Sequence, residues 1–169
     1  GTLLSREEGK TLPEGIGEVV RSGQQFQYYA ASALRQFGEN IASTREGVSV
    51  ELTREPIGVC GIISPWNFPN AIAAWKAAPA MAFGNAIVLK PASQTPASAI
   101  ALTKIISEQK DIPEGLFNLV LGGGGTIGHQ ISEHKNVNAI SFTGSVNVGQ
   151  TIYKEAAKTM KKMQLEMGS

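Results

Sequence analysis

GIISPWNFPN, residues 61–70, joins a β-branched run to an alanine-rich segment through a turn of prolines and polar groups. Residues 58–63 (GVCGII) have the length and branching of a strand. Residues 70–83 (NAIAAWKAAPAMAF) favour helix through their alanines, in spite of Pro79. The stretch therefore predicts strand, loop and helix, with Ser64, Trp66 and Asn67 presented by the loop. In an open α/β sheet the loops at the carboxyl ends of parallel strands share one rim, where ligands bind. SPWNFP is a site candidate on that ground. Trp66 and Phe68 plugging the end of the sheet, with Asn67 as a turn residue, account for the same residues equally well.

Working outward, the same alternation continues. Downstream the pattern predicts strand 86–89, helix 96–109 with Thr95 as cap and Pro96 in the first turn, strand 116–121, a glycine turn, and helix 127–133. Strand 139–142, helix 146–158 and strand 162–167 follow. Strands alternating with helices imply right-handed crossovers and an α/β fold: an open, parallel, five-stranded sheet flanked by helices. Upstream, residues 1–45 read as a helical segment with Phe26, Tyr29, Ala30, Ala33 and Phe37 on one face, and Gly15 and Gly17 are expected to divide it. Val48, Val50 and Leu52 alternate with polar neighbours, so residues 46–57 read as a short extended pair outside the main sheet.

A chain of 169 residues suffices for one domain with a sizeable core. Lys plus Arg (15) nearly balances Asp plus Glu (14), so no overall field recruits nucleic acid or an anionic membrane, and a small molecule is the expected partner. The single cysteine, Cys60, excludes an internal disulfide and a CxxC metal site; it suits a reducing compartment, with the cytoplasm expected. The apolar region 71–83 is too short to span a bilayer and is interrupted by Lys76, while GTLLSREEGK does not read as a signal peptide. A beginning in mid-pattern and a finish on LEMGS are what a fragment of a longer chain would show.

The first four strands run into SPWNFP, KPASQTP, GGGGTIG and TGSVNVG, and the fifth ends on Glu166. Gly123, Gly125 and Gly128 match GxGxxG between a strand and a helix, but residues 139–148 hold no acid for the ribose, which that motif expects at the end of the next strand. The glycines are then either a flexible turn or a close approach of backbone to a ligand. GSVNVGQT (144–151) has the spacing of a phosphate loop with Gln150 in place of its lysine, which argues against a nucleotide triphosphatase. What remains is a helix start whose free N–H groups and Ser145 hydroxyl suit a phosphate, or Ser145 as a plain cap. Lys90 and Ser93 suit a ribose or its phosphate, though a solvated surface lysine explains Lys90 as well. His129 and His134 read as surface helix residues without carboxylate or thiol partners at ligand spacing, so no metal site is expected.

Taken together, PIGVCGIISPWNFP (56–69), Trp75 with Lys76, KPASQTP (90–96), FTGS (142–145) with Gly149, and QLEMG (164–168) resemble the aldehyde dehydrogenase superfamily in order and spacing, over essentially the whole chain. Within it the sequence looks most like NADP-accepting bacterial semialdehyde dehydrogenases, such as those for 2-oxoglutarate or succinate semialdehyde. The resemblance implies a Rossmann-like sheet. It makes residues 1–169 part of an NAD(P)-binding domain, with the catalytic domain and the nucleophilic cysteine outside the chain. The implied reaction is oxidation of an aldehyde to the acid through a thiohemiacetal and a thioester on that cysteine, by a homo-oligomeric (dimeric or tetrameric) enzyme. The chain alone should be inactive. The alternative from another class is a non-catalytic nucleotide-binding or scaffold module.

By the same resemblance, Asn67 donates its amide to the developing oxyanion and Glu166 is the base that activates the deacylating water. Trp66 and Ser145 match the surroundings of the cofactor phosphates, Lys90 and Ser93 the adenosine ribose, and Gly122, Gly124 and Gly128 the adenine side. Ile63, Ser64, Pro65, Pro91, Ala92, Phe142, Thr143, Gly144, Val148 and Gly149 complete the implied cofactor-binding set, to which Asn67 also belongs. NAD-preferring members often carry Glu at the position of Ser93, so NADP as well as NAD should be accepted. Lys76 matches a lysine assigned either to proton relay or to structure. Cys60 matches no catalytic position and reads as buried core. Ser169 stands where the family usually has glycine.

Overall fold

The computed structural model describes residues 1–168, so the comparison made at Ser169 lies outside the described residues. The chain opens with two helices, α1 (Thr2–Glu8) and α2 (Leu12–Ala33), and an antiparallel pair, β1 (Glu39–Ala42) with β2 (Ser49–Leu52). The alternating part follows: β3 (Val59–Ile63), α3 (Ala71–Ala82), β4 (Ala86–Lys90), α4 (Pro96–Ser107), β5 (Phe117–Leu119), α5 (His129–Glu133), β6 (Ala139–Gly144), α6 (Val146–Ala157) and β7 (Lys162–Met167). The five strands of the sheet lie in the order β5-β4-β3-β6-β7, and every neighbouring pair is parallel. This is the open α/β sheet that the alternation predicts.

The order has a physical consequence. From β3 the chain winds outward through β4 to β5, then returns to the other side of β3 for β6 and β7. The turning point therefore lies between β3 and β6, and the loops that leave these strands diverge and open a crevice there.

Both faces of the sheet are covered, and each strand divides its side chains between them with a period of two. Ile62, Ile87 and Leu89 pack with Ala73 and Ala77 of α3 and with Ala99 and Leu102 of α4. On the opposite face Ile63, Ile140 and Phe142 pack with Ile131 of α5 and with Ile152 and Ala156 of α6. Ala73, Ala74 and Ala77 are fully buried, so the alanines of α3 bring its backbone close to the strands. The helix runs through Pro79.

The N-terminal segment differs from its sequence reading in three ways. The break falls at Gly9, which caps α1 with φ 97, while Gly15 and Gly17 lie inside an unbroken α2. A Cβ at Gly15 would collide with Ser5 Oγ and come within 3.0 Å of the Gly1 carbonyl, so this glycine serves the close packing of α1 on α2. The start of α2 is set by a reciprocal cap, in which the Thr11 N–H donates to Glu14 Oε2 at 3.0 Å. Phe37 lies beyond the end of α2 and is exposed. Finally, the extended pair does not occupy 46–57: its first arm is β1, inside the stretch read as helical, because Asn40 and Ile41 pair with Glu51 and Val50 across the Gly47 turn.

Leu89→Ala, at a fully buried position between α3 and α4, is expected to destabilise the protein by ~2–5 kcal/mol. Val50→Ala, on the exposed pair, should stay within about 0.5 kcal/mol of the parent. Urea unfolding followed by circular dichroism measures both.

Candidate functional site

The register places the sequence-predicted loops on one rim. Ile63 at the end of β3 lies between Lys90 of β4 and Phe142 of β6, and Thr143 lies opposite Glu166 of β7. The Ser64 N–H donates to the Lys90 carbonyl at 3.2 Å, and the Ser93 hydroxyl donates to the Gly122 carbonyl at 3.4 Å, so the first three loops are tied edge to edge.

Two carboxylates from the N-terminal helices anchor this rim. Glu18, 5% exposed, accepts the N–H groups of Asn70 and Ala71 at 2.9 and 3.0 Å, and its other oxygen meets Lys10 at 2.5 Å. Glu7 accepts from the N–H groups of Ala97 and Ser98 and from the Ser98 hydroxyl at 2.6 Å. Each carboxylate thus satisfies the free N–H groups at the start of a helix, α3 or α4, where negative charge is favoured. Sequence reading missed both glutamates. Their targets lie 52 and 91 residues away, and no local pattern marks such a contact.

Trp66 and Phe68 are about half exposed, so they do not plug the sheet; they stand out from its rim together with Asn67. Lys90 is not a solvated surface lysine. It is 4% exposed, its ammonium donates to the Pro91 carbonyl at 2.8 Å, and burial lowers its pKa. Ser145 occupies the N-cap position of α6, but its hydroxyl makes no capping hydrogen bond. Ser64 is buried, and its hydroxyl has no partner among the described residues.

The glycine loop does not enter α5 as a simple α-helix. It forms one π-helical turn, Gly124–Gly128, which stands across a cleft of about 430 Å³ from Val148, Thr151 and Ile152 of α6, with Ile63 as part of the wall. A Cβ on Gly124 or Gly125 would meet nothing within 4 Å, so these residues leave bare backbone facing open space. Gly144 and Gly149 serve packing instead. A Cβ on Gly144 would lie 2.5 Å from the Phe142 ring, and one on Gly149 would strike Met167 and approach the same ring to 3.3 Å. His129, Thr151 and Glu155 also line the cleft, and sequence reading did not assign them there.

On the α3 side of the sheet, Lys76 is 9% exposed and donates to Ser141 Oγ at 2.7 Å; that hydroxyl donates onward to Gln164 Oε1 at 2.5 Å. Glu166, two residues on along β7, faces the same side. Burial lowers the Lys76 pKa to about 8, against the opposing pull of Glu166. Cys60 is half-buried rather than core: it lines a cleft beneath α3 with Tyr29 and Trp75, and burial raises its thiol pKa. His129 does have carboxylate neighbours, contrary to the sequence reading. Glu133 lies one turn along α5 at 3.1 Å and Glu155 reaches in from α6. Lys158 pairs with both carboxylates, so the cluster already carries its own cation.

A family model described as "Aldehyde dehydrogenase family" matches residues 1–169. Alpha-ketoglutaric semialdehyde dehydrogenase of Bacillus subtilis (strain 168) is 47% identical over 166 residues, covering 97% of this chain and 33% of that protein. Succinate-semialdehyde dehydrogenase [NADP(+)] of Saccharomyces cerevisiae (strain ATCC 204508 / S288c) is 41% identical over 169 residues, covering 99% and 34%. Among solved structures, a lactaldehyde dehydrogenase superposes with a TM-score of 0.96 at 42% identity over 99% of this chain and 35% of that one. Betaine aldehyde dehydrogenase from Staphylococcus aureus in complex with NAD+ gives 0.95 at 37% identity, over 98% and 33%. The chain spans about a third of the length of the curated relatives it matches.

The lowered pKa of Lys76 carries a pH signature. Between about 8 and 10.5 the unfolded chain holds this proton and the folded chain has released it, so stability rises with pH across that window. Below about 8 both states are protonated and the burden of the buried charge is fully present. Lys76→Met is expected to reduce the rise, leaving the part that the lowered pKa values of Lys90 and Lys161 contribute, as urea unfolding at a series of pH values will measure.

Proposed function

The chain belongs to the aldehyde dehydrogenase family, and on that footing we propose that it forms part of the NAD(P)-binding domain of an enzyme that oxidises an aldehyde, a semialdehyde by preference, to the acid. The observation that carries this is the cleft of about 430 Å³, in which Ile63, Gly124, Gly128 and Val148, from three separate predicted cofactor segments, meet at the carboxyl rim of the sheet.

The residues present fit a dinucleotide. The cleft has the size of a ligand pocket, Gly124 and Gly125 leave backbone bare, and the Ser64 hydroxyl, next along the chain from Ile63 of its wall, is buried without a partner among the described residues. In this reading Gly124, Gly128 and Val148 hold the adenine side and Lys90 and Ser93 the ribose. The start of α6 with Ser145, and Trp66, hold the phosphates. When bound, the nicotinamide supplies the acceptor for the hydride that the substrate loses. Ser93 presents a hydroxyl rather than a carboxylate toward the ribose, which leaves room for the 2′-phosphate of NADP as well as for NAD.

The chain's own residues then divide the remaining work. Asn67, exposed on the rim, donates its side-chain amide to the oxygen that becomes negative when a thiolate from outside this chain attacks the aldehyde. Glu166 accepts a proton from the water that hydrolyses the thioester, which is reached only after the thiohemiacetal from that attack has lost its hydride. Lys76, on the same face of the sheet, places a positive charge near that carboxylate. A homo-oligomeric enzyme working in the cytoplasm on a small aldehyde completes the proposal.

In the enzyme that carries this chain, Asn67→Ala is expected to lower kcat by about 10²–10³-fold and to weaken NADP binding far less, by under about tenfold. Pre-steady-state kinetics and nucleotide titration by intrinsic fluorescence test the two halves separately. Ser93→Glu should weaken NADP by about tenfold or more through like-charge repulsion while NAD is retained. Equal affinity of that variant for NADP and NAD, if the parent also shows it, places the 2′-phosphate elsewhere.

A further inference from the structure

The peptide of Asn67 is fastened from outside the sheet. Lys10, in the bend between α1 and α2, donates to the main-chain oxygen of Asn67 at 3.0 Å, and its ammonium stands 4.1 Å from the centre of the Phe68 ring. No other hydrogen bond to Asn67 is made among the described residues. The Lys10 side chain is only 10% exposed, and Glu18, whose side chain is 2% exposed, meets its charge at 2.5 Å. The second oxygen of Glu18 takes the N–H groups of Asn70 and Ala71. One buried carboxylate therefore grips the end of the loop directly and its middle through Lys10.

We propose that Lys10 and Glu18 are positioning residues for the chemistry of this site. They hold the backbone at Asn67, and so the origin of its side-chain amide, at the place where the oxyanion forms. This rests on the assignment of Asn67 as oxyanion donor. The residue types suit the task. An ammonium is a compact charge with three donors, and here it addresses Glu18 and the Asn67 carbonyl while its face toward Phe68 gains a cation–π contact. Glu8, at 3.7 Å, is a second carboxylate beside the same ammonium. An apolar side chain in place of Lys10 would fill the volume but leave the carbonyl free to rotate, and Trp66, Asn67 and Phe68 are all exposed, with little packing to hold them.

The test uses Lys10→Met, Asn67→Ala and the double variant in the enzyme that carries this chain. Lys10→Met leaves Glu18 on the α3 N–H groups, so the helix keeps its cap. It is expected to lower kcat by about tenfold to a hundredfold, the effect of a small misplacement of a catalytic group. The KM for NADP should move by less than about twofold, separating a transition-state effect from binding. In the Asn67→Ala background the same substitution should change kcat by less than about twofold, because the group it positions is gone. Lys10→Gln, which keeps an N–H donor for the Asn67 carbonyl, is expected to recover kcat relative to Lys10→Met, and Lys10→Met combined with Glu18→Gln, which removes the unpaired buried charge, provides the comparison if the methionine variant does not yield folded enzyme. Equal losses of kcat in both backgrounds, or a loss confined to the KM for NADP, would overturn the proposal. An Asn67→Ala enzyme with undiminished kcat would overturn the oxyanion assignment itself, and this inference with it.

Discussion

A buried carboxylate at the start of a helix holds the rim of this sheet together. The first N–H groups of any helix lack intrahelical partners, and α3 begins inside the protein, where water cannot serve them. Glu18 supplies the acceptor at Asn70 and Ala71, and the positive end of the helix together with Lys10 offsets the burial of its charge. The arrangement is repeated at α4, where Glu7 meets Ala97 and Ser98. Because α3 and α4 each follow a strand directly, fixing their first turns fixes the loops SPWNFP and KPASQTP between strand and helix. The N-terminal helices act as a brace for the site although they contribute nothing to the sheet.

The sheet order places a crevice where those loops open. With β3 central and the chain reversing its direction of winding there, the segments after β3 and β6 part instead of covering one another. The π-helical turn at Gly124–Gly128 and the start of α6 form the two walls of the resulting cleft. The glycines that first read as one class separate into two on physical grounds. Gly124 and Gly125 border empty space, so their lack of a side chain admits something from outside. Gly144 and Gly149 border Phe142 and Met167, so theirs lets α6 settle on the sheet.

On the opposite face the polar residues of β6 and β7 form a line in what would otherwise be an apolar layer. Ser141 and Gln164 face α3 because the strand period puts them there, and Lys76 reaches down to them. Burial makes this lysine, 9% exposed, hold its proton less firmly than a surface lysine, although the field of Glu166 pulls the other way. The family assignment gives this face its meaning, since Glu166 is the residue proposed to take a proton there.

The sequence by itself determined the strands, their parallel arrangement and the loops that carry the candidate residues. Those features follow from short-range regularities: branched runs of strand length, alanine-rich helices, and the Thr95–Pro96 start of α4. The family resemblance was equally legible, because its motifs are contiguous. Tertiary structure alone decided what joins distant segments: the Glu18 and Glu7 anchors, the burial of Lys90, the half-exposure of Cys60, the approach of Glu155 to His129, and the first arm of the β1–β2 pair. The physical reason is that periodicity reports which side of an element is apolar, whereas the partner of a buried charge is chosen by whatever the folded chain brings within about 3 Å, a hydrogen-bond length that no spacing along the chain encodes.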